Sequence, residues 1–217
     1  MLSEQIEDYL KNIYKIETTE GRVATTALSR KLGIAPASVT EMVKKLAGEG
    51  IVTHTPYHGV QLTKEGRRRA LRIIRRHRLW ESFLVEVLNF DWHEIDEEAD
   101  RLEHLMSEKL EKHIDELLGY PSTDPHGDAI PSPEGELADR RGESLAGVGE
   151  GRTVVVRRVS DANPEILQLA SRLGIALNRK IRVIEKIAFD GTLRVVVGRK
   201  ERSISSKLAE NIFVEAS

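Results

Sequence analysis

Apolar side chains recur at helical spacing from the start of the chain. Ile6, Tyr9, Leu10, Ile13, Tyr14 and Ile16 predict a helix over 4–17, with Ser3 at its N-cap and Thr18-Thr19-Glu20-Gly21 ending it. A second, short helix over 25–32 is opened by Thr25 and closed by Gly33. Pro36, suited to a helix's first turn, starts a third over 36–46, with Val39, Val43 and Leu46 on one stripe and Gly48 and Gly50 stopping it. The period then changes to two. Residues 51–54 and 60–63 are β-prone, and 55–59 form the turn between them. Two short helices joined by a glycine turn and followed by a hairpin predict a winged helix-turn-helix.

Thr63 caps a long helix over 64–88, whose stripe is Leu71, Ile74, His77, Leu84, Val85 and Leu88. Two more helices are expected over 91–106 and 108–118, burying Leu102, Leu105, Leu110, Ile114, Leu117 and Leu118. Residues 119–151 hold four of the seven prolines and seven of the sixteen glycines, which reads as a linker or irregular arm. Beyond it, strands are expected over 153–159, 180–187 and 193–197, a helix over 163–173 and a last short strand over 212–214, with Asp190-Gly191 as a hairpin turn. The expectation is a mainly α chain with small β parts. Its domains would be 1–63 (winged helix-turn-helix), 64–140 (helical, linker from about 119) and 141–217 (small β barrel).

Composition narrows the function. The 217 residues contain no cysteine, which removes disulfides, thiol nucleophiles and thiolate metal sites, so any metal must be held by oxygen and imidazole nitrogen. No apolar run approaches the ~18 residues that span a bilayer, and residues 1–11 are no signal peptide, so a cytoplasmic chain with no membrane partner is expected. The net charge of −2 conceals a strong asymmetry. Residues 22–80 carry thirteen Lys/Arg and three Asp/Glu; residues 81–118 carry thirteen Asp/Glu and three Lys/Arg. The basic block suits a polyanion, and the acidic block, interrupted by histidines, suits a cation.

The third helix has the composition of a recognition helix. Ala35, Ala37, Ser38, Thr40 and Glu41 present small or polar side chains to a groove, Lys44 and Lys45 follow, and Arg30 adds a cation. Tyr57 and His58 at the wing tip complete the set expected to touch double-stranded DNA. In the acidic block, Asp96, Asp100, Glu103 and His104 fall on one helix face, and His77 and Glu81 are one turn apart on the preceding helix. Facing helices could close His77, Asp100, Glu103 and His104 around one cation, with Asp8 supplying a further oxygen. Mixed carboxylate–imidazole ligation suits Mn²⁺ or Fe²⁺, and also Zn²⁺. Asp124-Pro125-His126-Gly127 offers a second carboxylate–imidazole pair. His93-Glu94 starts a zinc-protease pattern, but position 97 is Glu97 rather than the required histidine. With no general base or phosphate loop in evidence, neither an enzyme nor a small organic substrate is expected.

Taken together, these residues resemble the diphtheria-toxin-repressor family of metal-dependent transcription regulators, which includes the manganese transport regulators. The resemblance rests on Glu7-Asp8-Tyr9-Leu10 with Ile13-Tyr14, Ala35-Pro36-Ala37-Ser38-Val39-Thr40, and Arg76-His77-Arg78-Leu79 with Glu81. It continues in Asp100, Glu103-His104 with Met106, and Pro125-His126-Gly127 followed by Ile130-Pro131. It implies a homodimer with a helical dimerisation domain and a C-terminal SH3-like domain, bound to a near-palindromic operator with metal as corepressor. By position it makes Asp8, His77, Asp100, Glu103 and His104 the principal metal site. Glu81, Asp124 and His126 are the ancillary site, completed by Asp161 or Asp96.

Two departures bear on the metal. Iron-type members have sulfur ligands where this chain has Asp8 and Asp100, and a cysteine where it has Asp124; the harder donors favour Mn²⁺ over Fe²⁺. Some manganese regulators have a glutamate where this chain has Lys11, so a close two-manganese centre using that glutamate is not expected. A metal ligated by Asp8 and His77 would tie the DNA-binding helices to the dimer domain and fix the spacing of the two recognition helices. The alternatives are an Fe²⁺-responsive regulator of the same family and a winged-helix DNA-binding protein with no metal response; other divalent transition metals are expected to bind in vitro.

Overall fold

The computed structural model describes residues 3–55, 59–138 and 142–217. They form two compact units, each drawing on several stretches of chain: 3–79, 100–112 and 130–138 in the first, 80–99, 113–129 and 142–217 in the second.

The first unit opens with α1 (Glu4–Glu20), α2 (Thr25–Leu32) and α3 (Pro36–Gly48), then β1 (Val52–Thr55) paired antiparallel with β2 (Gly59–Leu62). This is the winged helix expected from the change of period. Tyr9, Leu10, Ile13, Leu28, Val39, Val43, Leu46 and Val60 are fully or almost fully buried together and form its core. α1 runs three residues further than expected. The Thr18 and Thr19 hydroxyls donate to the Tyr14 and Lys15 carbonyls one turn back, and Gly21, at φ +69°, ends the helix instead. Ser3 makes no side-chain cap bond, and Ala24, not Thr25, is the N-cap of α2.

α4 (Lys64–Glu86) begins as expected, with Thr63 Oγ1 accepting the Gly66 N–H. α5 (Ile95–Glu103) is shorter than the predicted 91–106, and α6 spans Glu108–Leu117.

The second unit is built on an antiparallel sheet in the order β3 (Glu143–Ser144), β8 (Ile212–Ala216), β4 (Thr153–Val159), β5 (Lys180–Lys186), β6 (Leu193–Val197), β7 (Lys200–Ile204). Bulges at Val156/Arg158 and Val183/Glu185 interrupt the register. α7 (Pro164–Leu173), capped by Asn163, and α8 (Ser206–Glu210) accompany it, and Val154, Val156, Ile181, Val183, Val195 and Ile212 fill the core. β7 and α8 were not anticipated: Lys200-Glu201-Arg202 is too polar to read as a strand. No helix among the described residues is long and apolar enough to cross a membrane.

Candidate metal centres and nucleic-acid interface

In the first unit, α1, α4 and α5 bring acidic and basic side chains into one pocket. The five principal residues expected from the sequence fall into two close groups that share Glu103: Asp8–Glu103–His104 and His77–Asp100–Glu103. Glu103 is fully buried. Its Oε2 lies 2.7 Å from His77 Nδ1. Its Oε1 lies 2.5 Å from Lys11 Nζ and 3.6 Å from His104 Nε2. Lys11 Nζ also reaches Asp100 Oδ1 at 2.7 Å, and that oxygen is 3.2 Å from His77 Nδ1.

Two further residues complete this pocket, Glu7 and Lys11, neither of them expected there from the sequence. Glu7 is buried on α1, and its Oε2 lies 2.7 Å from His104 Nδ1. That contact leaves His104 Nε2 directed at Asp8 Oδ1, 3.2 Å away. A ligating histidine held by a carboxylate on its other nitrogen is the usual outer-shell arrangement at metal sites. Nothing in the helical spacing marks Glu7, which precedes Asp8 on α1. Lys11, expected only as a residue that does not coordinate, is instead a buried ion-pair partner of two carboxylates.

Electrostatics follow from this geometry. Burial opposes the charge on Lys11, but Glu103 and Asp100 outweigh it and hold its pKa above the ordinary value. Burial likewise opposes the Asp100 carboxylate, but His77 and Lys11 pull its pKa well below the ordinary value. His104 is discouraged from charging by burial, yet Glu7, Glu103 and Asp8 together raise its pKa. Asp8 is pushed up, mainly by burial.

The second unit holds another group, Glu81–Asp124–His126, all buried. His126 Nε2 lies 2.7 Å from the Trp92 carbonyl, which fixes the donated hydrogen there. Nδ1 is buried, has no hydrogen-bond partner among the described residues, and faces Glu81 Oε1 at 3.6 Å. Asp124 Oδ1 accepts the backbone N–H groups of His126 and Asp128, both at 2.9 Å, and so shapes the turn that aims the ring. Burial works against a charged His126, but Glu81 and Asp124 overcome it and raise its pKa. A buried imidazole nitrogen turned toward two carboxylates fits a divalent ion. Of the two residues expected to complete this site, Asp161 acts electrostatically on His126 and Asp96 has an oxygen within 4.8 Å of one on Glu81. Neither belongs to the close group with Asp124 and His126.

Ala35 at the N-cap of α3, and Ala37, Ser38, Glu41, Lys44 and Lys45 on it, are exposed, as is Arg30 on α2. Thr40 is half-buried, and its hydroxyl donates to the Pro36 carbonyl at 2.9 Å, so its hydrogen is used within the helix. Tyr57 and His58, expected at the wing tip, lie outside the described residues.

A helix with an exposed polar and basic face in front of a hairpin, in a chain that also holds buried carboxylate–imidazole groups, has the parts of a metal-dependent DNA-binding protein. Comparison with known proteins agrees. Residues 1–60 match the family model for the iron dependent repressor N-terminal DNA binding domain, 63–132 that for its metal binding and dimerisation domain, and 143–216 the FeoA domain. The chain is 28% identical to the iron-dependent repressor IdeR of Mycobacterium tuberculosis over 226 residues, covering 99% of this chain and 98% of the relative. Among solved structures, a manganese-dependent transcriptional repressor in complex with manganese superposes with a TM-score of 0.88 at 36% identity, covering 97% of this chain and 99% of the other. The manganese regulator SloR superposes at 0.79 and 33% identity, with 98% of each chain covered. The chain belongs to the diphtheria-toxin-repressor family of metal-dependent transcription repressors.

Proposed function

We propose that this chain is a repressor with Mn²⁺ as its favoured corepressor, acting in the cytoplasm as a homodimer on a near-palindromic operator. The observation that carries the reading is the chemistry of the buried groups. Asp8, Asp100 and Glu103 with His77 and His104 in one pocket, and Glu81, Asp124 and His126 in the other, offer only oxygen and imidazole nitrogen. Hard donors of this kind favour Mn²⁺ over softer-ligand ions. The likeness to a repressor solved with manganese supports the same choice.

Asp8 lies on α1, whose inner face belongs to the winged-helix core, whereas Glu103 and His104 lie at the end of α5 and just beyond it. A bound ion would supply a positive charge that holds α1 to α5. The side chains do the rest: Glu7 orients His104, and the α1 core transmits the position of that helix to α2 and α3. An effector that binds one arrangement better than another shifts the population toward it. In the dimer, the selected arrangement sets the two α3 helices one helical turn of DNA apart. Ala35, Ala37, Ser38 and Glu41 would then meet base edges, and Arg30, Lys44 and Lys45 the phosphates.

The test is operator binding at buffered free Mn²⁺, Fe²⁺ and Zn²⁺. Binding should rise with Mn²⁺ at lower occupancy than with the others, and Glu103→Gln should remove the response. Equal operator binding with and without metal overturns the reading.

A further inference from the structure

The pocket of the first unit contains two cation positions built around one carboxylate. Glu103 turns Oε1 and Oε2 toward different partners and belongs to both close groups. One position, bounded by His77, Asp100 and Glu103, already receives a positive charge from the chain. The Lys11 side chain is 5% exposed, and its Nζ lies 2.7 Å from Asp100 Oδ1 and 2.5 Å from Glu103 Oε1. A buried ammonium has no comparable partner in water to return to; taken off its two carboxylates inside the unit, it becomes an unpaired buried charge. A divalent ion drawing on the same two oxygens at about 2.0–2.2 Å would sit beside that ammonium, and two cations a few ångströms apart in a buried pocket repel strongly. The other position shares only Glu103 Oε1 with the ammonium, 3.6 Å from His104 Nε2, and keeps ligand atoms that Lys11 does not hold. Asp8 and His104 Nε2 face each other at 3.2 Å, and Glu7 already holds Nδ1.

We propose that Lys11 is a resident, chain-borne counter-ion that fills the His77–Asp100–Glu103 position, so that this pocket takes one exchangeable divalent ion, at Asp8–Glu103–His104, instead of two. The proposal rests on the reading of the pocket as a metal site. It assigns His77 and Asp100 a different part from Asp8 and His104: Asp100 anchors the ammonium with Glu103, and His77 holds both carboxylates in place. It also means that α1 is bound to α5 through Lys11 before any metal arrives.

The experiment is Mn²⁺ loading of the full-length protein, counted by native mass spectrometry and read by electron paramagnetic resonance. Two Mn²⁺ ions bridged by one carboxylate give a spin-coupled spectrum, whereas one ion gives an uncoupled six-line pattern. The parent should show no coupled pair. Lys11→Glu should bind one more ion per chain than the parent and show coupling. Lys11→Arg, which keeps the charge, should keep the parent's stoichiometry. Should Lys11→Glu fold poorly, Lys11→Met is to be used, with the same gain of one ion expected. A coupled pair in the parent overturns the proposal, and so does an unchanged count in a folded Lys11→Glu or Lys11→Met protein. Failure of the underlying reading looks different: a folded parent whose Mn²⁺ count is unchanged by His104→Ala has no ion in this pocket, and the proposal falls with it.

Discussion

Glu7 Oε2 lies 2.7 Å from His104 Nδ1, and this one contact decides which face of the imidazole is offered to Asp8 and Glu103. Both nitrogens of a histidine can bind a metal, so a carboxylate that occupies one selects the other. Glu7→Gln should keep the fold and weaken Mn²⁺ binding in this pocket by about 10–100-fold, the usual cost of losing an outer-shell carboxylate. Isothermal titration of parent and variant would check it; equal affinities would remove Glu7 from the site.

Glu103→Gln tests the centre of the same pocket. Glu103 is fully buried between Lys11 and His77, so neutralising it strips a buried ammonium of one of its two carboxylate partners. Breaking a buried charge pair typically costs about 3–5 kcal/mol. Metal-free Glu103→Gln should therefore unfold at clearly lower denaturant than the parent, and a midpoint within error of the parent's would contradict the burial argument.

The stability of the metal-free protein should depend on pH in two directions. Asp100 has its pKa held below the ordinary 3.8, so its contribution is full above that value and fades as acid protonates it. His104 has its pKa held above the ordinary 6.5, so its contribution is full below 6.5 and fades as the pH rises through the raised value. Between about pH 4 and 6.5 both act, and the metal-free melting temperature should be highest there. A protonated imidazole cannot ligate, so Mn²⁺ should raise the melting temperature more at pH 8 than at pH 6. Thermal melts at both pH values, with and without Mn²⁺, give the sign directly.

Gly127 is needed for the ancillary group. It has φ +93°, and a Cβ there would lie 2.0 Å from the Arg157 carbonyl oxygen, a backbone atom that cannot swing aside. Gly127→Ala should cost at least about 1–3 kcal/mol and move the adjacent His126. The expected result is loss of one bound ion per chain while operator binding still responds to Mn²⁺ through the first pocket. Unchanged metal stoichiometry would contradict it.

Lys44 is exposed on α3 and carries no ion-pair partner among the described residues. Lys44→Ala should weaken binding to operator and unrelated DNA alike, and lower the slope of log affinity against log salt by about 1. Binding measured across a salt series separates this from a base-specific role, which would affect the operator alone.

Much of the fold was legible because the hydrophobic period changes where the fold changes. The stripe Val39–Val43–Leu46 and the switch to alternation after Gly50 mark the winged helix without ambiguity, and all three stripe residues are buried. The errors lie where local hydrogen bonds decide the outcome. Thr18 and Thr19 extend α1 by bonding back to it, and 91–94 stay outside α5 despite their charge pattern. For the pocket, helical spacing identified the acidic and imidazole residues, but it could not reveal Lys11 or Glu7 as members. A lysine and a glutamate four residues apart on an N-terminal helix look like an ordinary solvated pair. Only the ion pairs from α1 to Asp100, Glu103 and His104 show both turned inward.

Trp92 lends the second pocket a property of another kind. Its carbonyl takes the His126 Nε2 hydrogen, and its indole ring centroid lies 5.7 Å from that of the imidazole. The chain has only two tryptophans, and this one is in touch with a candidate ligand. Its fluorescence is thus a label-free gauge of occupancy at Glu81–Asp124–His126. A paramagnetic ion settling on His126 should dim its emission, and a Trp80→Phe background leaves Trp92 as the sole tryptophan reporting it.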